Sequence, residues 1–75
     1  MAGVIKTYYN NRQLSQEYFK NDGKIEGEYK SYHVDGQLYK ICNYVNGKME
    51  GECKIYYQNG KLDQILYYVN GNVTK

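Results

Sequence analysis

The sequence predicts an all-β protein: an antiparallel β-meander of about six strands, forming a single-sheet repeat solenoid of three 24-residue units. Three observations predict it. Gly3, Gly27 and Gly51 stand 24 residues apart, and the columns behind them recur in one register without gaps. Each unit carries Asn-Gly or Asp-Gly signals, whose readiness for positive φ suits tight hairpins. Between the signals lie Tyr, Ile, Val and Leu, which suit pleated strands, with no proline and no helical period. A unit this short cannot bury a core alone and must stack on its neighbours.

The units run 3–26, 27–50 and 51–74 within one domain covering 1–75. The first strand, Val4 to Tyr9, leads into a turn at Asn11-Arg12, where the later units have Asp35-Gly36 and Asn59-Gly60. The second turn of each unit falls at Asp22-Gly23, Asn46-Gly47 and Asn70-Gly71. Gly23, Gly36, Gly47, Gly60 and Gly71 are thus the turn glycines. The last strand is Ile65 to Val69.

Two large residues keep their columns: Tyr8, Tyr32 and Tyr56, and Leu14, Leu38 and Leu62. A three-residue loop with a bulged glycine places Tyr32 opposite Leu38 and Tyr56 opposite Leu62, on one face. A two-residue loop would separate them. The bulged loop is therefore expected, with the six residues as a structural spine and Tyr32 buried in the middle unit. Arg12, in the glycine's place, is expected to be strained and left-handed.

The same register carried along the chain pairs Cys53 near Tyr39, on the face opposite Cys42. On that reading a disulfide is excluded. Free, partly buried thiols then fit a reducing compartment and a cytoplasmic location, the host cytoplasm if the chain is viral. Two thiols and one histidine, His33, make no metal site. No nucleophile, base and orienting group recur together. No catalytic residue, cofactor or metal ligand is expected, and the chain is read as a non-enzyme.

The net charge of +2 is too small to point to nucleic acid. The column Lys6, Lys30 and Lys54 is flanked by Glu26, Glu28, Glu50 and Glu52 and reads as a solvated face. No apolar run approaches the roughly 20 residues that span a bilayer, and no signal peptide precedes Gly3. Mean hydropathy is −0.86, yet there are 11 tyrosines, which suit a thin sheet with one face partly wet.

From Tyr44-Val45-Asn46-Gly47 through Glu50-Gly51-Glu52 to Tyr56 and Gly60, the chain resembles a MORN repeat: Tyr-x-x-Gly-x-x-x-Gly, then an aromatic and a further glycine. The earlier junction, Asp22-Gly23 to Gly27 and Tyr32, matches in its glycines but has Lys20 where Tyr44 and Tyr68 stand later. The resemblance covers nearly the whole chain. It is closest to variant repeats of bacterial and giant-virus proteins, some of them antitoxins or immunity proteins, and implies stacked hairpins. The richness in Lys, Asn, Tyr and Ile agrees with an AT-rich genome.

The function expected is a repeat scaffold for protein–protein interaction or self-association, with a homo-oligomer as the leading form. The apolar, uncharged last strand Ile65, Leu66, Tyr67, Tyr68 and Val69 is the expected interface, because it reads as an undefended sheet edge. A small immunity or antitoxin-type binder is the alternative. Association with an anionic membrane through the lysine column is weaker still.

Overall fold

The computed structural model describes residues 2–74. Every element is a strand: β1 (Ala2–Tyr8), β2 (Leu14–Asn21), β3 (Lys24–Tyr32), β4 (Leu38–Val45), β5 (Lys48–Met49), β6 (Gly51–Tyr56), β7 (Leu62–Val69) and β8 (Asn72–Val73). They form one open antiparallel meander, β1-β2-β3-β4-β6-β7-β8, with β5 paired to β4. The six expected strands are the long ones. β5 and β6 are one strand interrupted at Glu50, and β8 adds a short piece beyond β7. The plate measures 33 × 31 × 12 Å.

Two turn types alternate at the two ends of the strands. At one end the N–H of Arg12, Gly36 or Gly60 donates to the carbonyl of Tyr9, His33 or Tyr57, at 2.9 Å each. The third loop residue is left-handed, with φ of 73° at Arg12, 95° at Gly36 and 92° at Gly60. Arg12 thus takes the expected strained conformation inside an unchanged loop. Asn11, Asp35 and Asn59 each accept from the backbone N–H two residues on, which closes the loop further. Tyr8 pairs with Leu14, Tyr32 with Leu38 and Tyr56 with Leu62, as the spine requires.

At the other end Asp22-Gly23, Asn46-Gly47 and Asn70-Gly71 have positive φ at both residues. That is the primed two-residue turn, whose twist matches a hairpin, and not the three-residue bulged loop expected at these glycines as well. The strand beyond then bulges. Pairing moves by two residues between Phe19↔Glu26 and Glu17↔Lys30, and again between Val45↔Lys48 and Ile41↔Lys54. Gly27 and Gly51 sit in these bulges with φ of 82° and 85°. This is the work of the leading-glycine column, to which the sequence reading assigned no conformation.

These shifts overturn the cysteine expectation. The two-residue turn adds one residue to the expected register and the bulge adds two. An odd slip reverses the face. Cys42 and Cys53 therefore lie directly across β4 and β6, with Cα atoms 4.2 Å apart, and form a disulfide. Each is 2% exposed, and they are the only buried residues among those described. The argument from free thiols to a reducing compartment loses its premise.

Two further corrections concern burial and edges. The spine is only half covered: Tyr32, Leu38, Tyr56 and Leu14 are intermediate, while Tyr8 and Leu62, at the outer strands, are exposed. Tyr32 is not a buried anchor. The last long strand is also not bare, because Tyr68 pairs with Val73 and Val69 with Asn72. Beyond them the N–H of Thr74 donates to the carbonyl of Tyr67 at 2.7 Å.

Candidate interaction faces

Side chains alternate across a sheet, so the register sorts them into two faces. One face carries, strand by strand, Ile5, Tyr18, Tyr29, Cys42, Cys53 and Leu66. Tyr18 and Tyr29 stack with ring centres 5.3 Å apart, and Tyr29 meets Tyr44 at 5.7 Å. This cystine face is cross-linked by aromatic contacts and one covalent bond. Burial pushes the Tyr29 hydroxyl above its ordinary pKa, helped by neighbouring Tyr44 and Tyr18. Burial, with Tyr68 nearby, does the same to Tyr44.

The opposite face carries Lys6, Glu17, Lys30, Ile41, Lys54 and Ile65 across the same strands. The spine Tyr8, Leu14, Tyr32, Leu38, Tyr56 and Leu62 lies on this lysine face too. Each lysine of the column has a glutamate beside it: Lys6–Glu17 at 3.9 Å, Lys30–Glu28 at 3.4 Å and Lys54–Glu52 at 3.6 Å. Such exposed pairs add little stability, but they cancel most of the column's field beyond a Debye length of about 8 Å.

Exposed apolar side chains gather on the lysine face. Val4, Tyr8, Phe19, Val45, Leu62, Tyr67 and Val69 are all 38% exposed or more and all point there. Tyr39, the extra residue of a bulge, is the remaining exposed large residue of the long strands, and its ring meets His33 at 4.9 Å. A shallow groove lies among Val4, Glu17, Phe19, Glu26, Glu28 and Lys30. A second lies among Glu28, Ile41, Asn43, Glu52 and Lys54. The first opens at Gly27, where the ladder is interrupted.

The predicted interface strand divides between the faces. Ile65, Tyr67 and Val69 point to the lysine side, Leu66 and Tyr68 to the cystine side. It is not one surface. What the sequence reading missed is that the exposed apolar side chains of β1, β2, β4 and β7, Tyr39 aside, share a face. The register decides this, and the bulges decide the register.

Unit-to-unit contacts recur at both ends of the hairpins. The N–H of Gly47 donates to the carbonyl of Ile25 at 3.0 Å, and Gly71 to Met49 at 2.9 Å. Glu26 and Glu50 accept from the N–H of Asn46 and Asn70 at 2.6 and 2.9 Å. At the far end the Tyr9 hydroxyl donates to the Tyr32 carbonyl at 2.5 Å. In the next unit His33 Nε2 replaces it on the Tyr56 carbonyl at 3.2 Å. Since a carbonyl only accepts, His33 holds its Nε2 proton. The lone histidine is a clasp between hairpins. Asp35 accepts from the Gln37 N–H and the Gln58 amide, which holds its carboxyl below its ordinary pKa.

The profile of the MORN repeat variant matches residues 25–46 and 49–70. The chain belongs to the MORN repeat family. Each matched segment is one hairpin with its three-residue loop, β3–β4 and then β5 to β7. The first hairpin, β1–β2, lies outside the match and holds the two departures, Arg12 and Lys20. No curated protein and no solved structure matches the chain with significance. MORN repeats are generally associated with protein or membrane-lipid interaction. Among the described residues, no group of three or more His, Cys, Asp or Glu side chains converges as metal ligands do.

Proposed function

We propose that this MORN sheet is a non-enzymatic scaffold that binds protein, copies of itself included, through its lysine face. The carrying observation is the segregation of exposed apolar side chains onto that face while the other face is closed by the cystine and the tyrosine stack. Large exposed apolar patches rimmed by polar groups mark interaction sites. The membrane-lipid branch is disfavoured, because an anionic surface needs an unpaired basic field and a glutamate stands within 3.9 Å of each lysine of the column.

Lysine acylation in the producing cell, read by mass spectrometry, tests this without knowledge of the partner. Lys6, Lys30 and Lys54 are expected to be protected relative to the dilute purified protein, while Lys20 and Lys40, on the cystine face, react alike in both. Equal reactivity of the two sets in the cell removes the proposal. Protection of Lys6, Lys30 and Lys54 that appears when anionic vesicles alone are added to the dilute purified protein would count against it as well.

A further inference from the structure

Resting on that reading, we infer that the lysine face is covered by a second copy of this chain, packed face to face about a two-fold axis parallel to the strands. The axis passes between β3 and β4, at the middle of the strand order β1, β2, β3, β4, β6, β7. It lays β1 of one copy over β7 of the other, β2 over β6 and β3 over β4. Three features of the sheet select this occupant and this axis.

The first is charge. Rotation about the strand direction preserves position along the strands, so residues of the central row face one another. Glu17 then meets Lys54 of the second copy, and by symmetry Lys54 meets Glu17. Lys30 meets Ile41, over which its aliphatic stem can lie. An in-plane axis perpendicular to the strands and centred on this row would instead stack Glu17 on Glu17 and each lysine on itself. Juxtaposed like charges cost several kcal/mol, so the sheet is complementary to itself about one axis and repulsive about the other.

The second is shape. Tyr and Leu alternate along the spine, Tyr8, Leu14, Tyr32, Leu38, Tyr56, Leu62. The same rotation sets every tyrosine over a leucine of the other copy, a large ring against a smaller branched chain. The third is size. The 33 × 31 Å outline exceeds the roughly 800 Å² per partner that a stable interface buries. Two sheets stacked this way reproduce the aligned packing of a β-sandwich, with faces about 10 Å apart.

The test is a charge exchange read by sedimentation from low to several hundred micromolar. The wild-type chain should show a concentration-dependent monomer–dimer equilibrium. Glu17→Lys and Lys54→Glu should each weaken it at least tenfold, with the β-sheet circular dichroism unchanged. The double exchange should restore it. Within one copy the exchange also disturbs the Lys6–Glu17 and Lys54–Glu52 pairs, so a merely structural effect makes the double variant worse than the singles. Leu62→Lys, at an exposed position, gives a second variant that should also favour monomer. A wild-type monomer throughout overturns the homodimer and leaves lysine protection in the cell to judge the scaffold. A dimer indifferent to these changes, or no recovery in the double variant, overturns the axis.

Discussion

On the cystine face, rings and sulfur atoms touch one another across the strand junctions; on the lysine face each lysine of the column meets a glutamate, and the large side chains of the outer strands are exposed. Both faces come from the same repeat. The difference arises because columns that vary between units, such as Tyr18, Cys42 and Leu66, lie on the cystine face, while the constant Lys, Tyr and Leu columns lie on the other. Variation allowed the first face to be stitched by particular pairs: a disulfide, a stacked tyrosine pair, a tilted one. The constant columns repeat along the second, beside variable ones such as Glu17, Ile41 and Ile65. In this one-layer protein the contacts that hold the sheet together and the exposed apolar side chains fall to opposite sides.

The largest expected effect lies at the cystine. β4 and β6 share only the pairs Lys40↔Ile55 and Ile41↔Lys54, the shortest ladder between long strands. The disulfide sits across that seam. Replacing Cys42 and Cys53 by serine, or reducing them, should cost about 2–4 kcal/mol, read as a lower midpoint in urea. Intact mass of the non-reduced chain should be two hydrogens below the thiol form. An unchanged midpoint would show that the seam does not need its bond.

Next comes a matched pair of tyrosines in one strand. Tyr29 touches two rings on the cystine face, and Tyr32 faces the Leu column on the other. Aromatic pairs add about 0.5–1.5 kcal/mol beyond area, so Tyr29→Leu should destabilise by roughly 1–2 kcal/mol more than Tyr32→Leu. Equal losses would erase the contrast between faces. The raised pKa of Tyr29 and Tyr44 offers a second reading of the same contrast. A hydroxyl whose folded pKa exceeds its unfolded value stabilises the fold below about pH 10, and that contribution is lost as pH rises through the folded value. Alkaline melting should therefore steepen above about pH 10, and Tyr29→Phe should blunt it.

The smallest expected effect is a gain. Arg12 holds φ of 73° where the other loops have glycine. A left-handed non-glycine residue costs roughly 1–2 kcal/mol, part of which glycine's extra unfolded freedom offsets. Arg12→Gly should stabilise by about 0.5–1 kcal/mol, visible as a rise of a few degrees in Tm. A loss of stability would mean that the arginine side chain contributes contacts worth more than its strain.

Much of the fold was legible because hairpins are local. Asn46-Gly47 and its equivalents mark where turns fall through residue type alone, although the three-residue loop expected there is a two-residue primed turn, and the Tyr32 to Leu38 spacing declares the loop that joins them. The Lys6, Lys30 and Lys54 column, with its neighbouring glutamates, was equally readable as a neutralised face. The candidate site was less legible. Ile65 to Val69 reads as one apolar edge in the chain, yet the strand hands its side chains to two faces and β8 covers part of its rim. Cys42 and Cys53 show why most clearly. Their meeting depends on the two-residue turn at Asn46-Gly47, which brings both to one face, and on the two-residue bulge at Glu50-Gly51, which sets them level; each is announced by nothing but a glycine that could serve either way.

From the sequence alone came the period, the places of the turns and the succession of hairpins, since each depends on residues a few positions apart. Which side chains share a face, and so which surface carries the cystine and the tyrosine stack and which the exposed apolar residues, waited on the tertiary structure. Register accumulates along the meander, and a single-residue slip at any turn or bulge reverses every face that follows it.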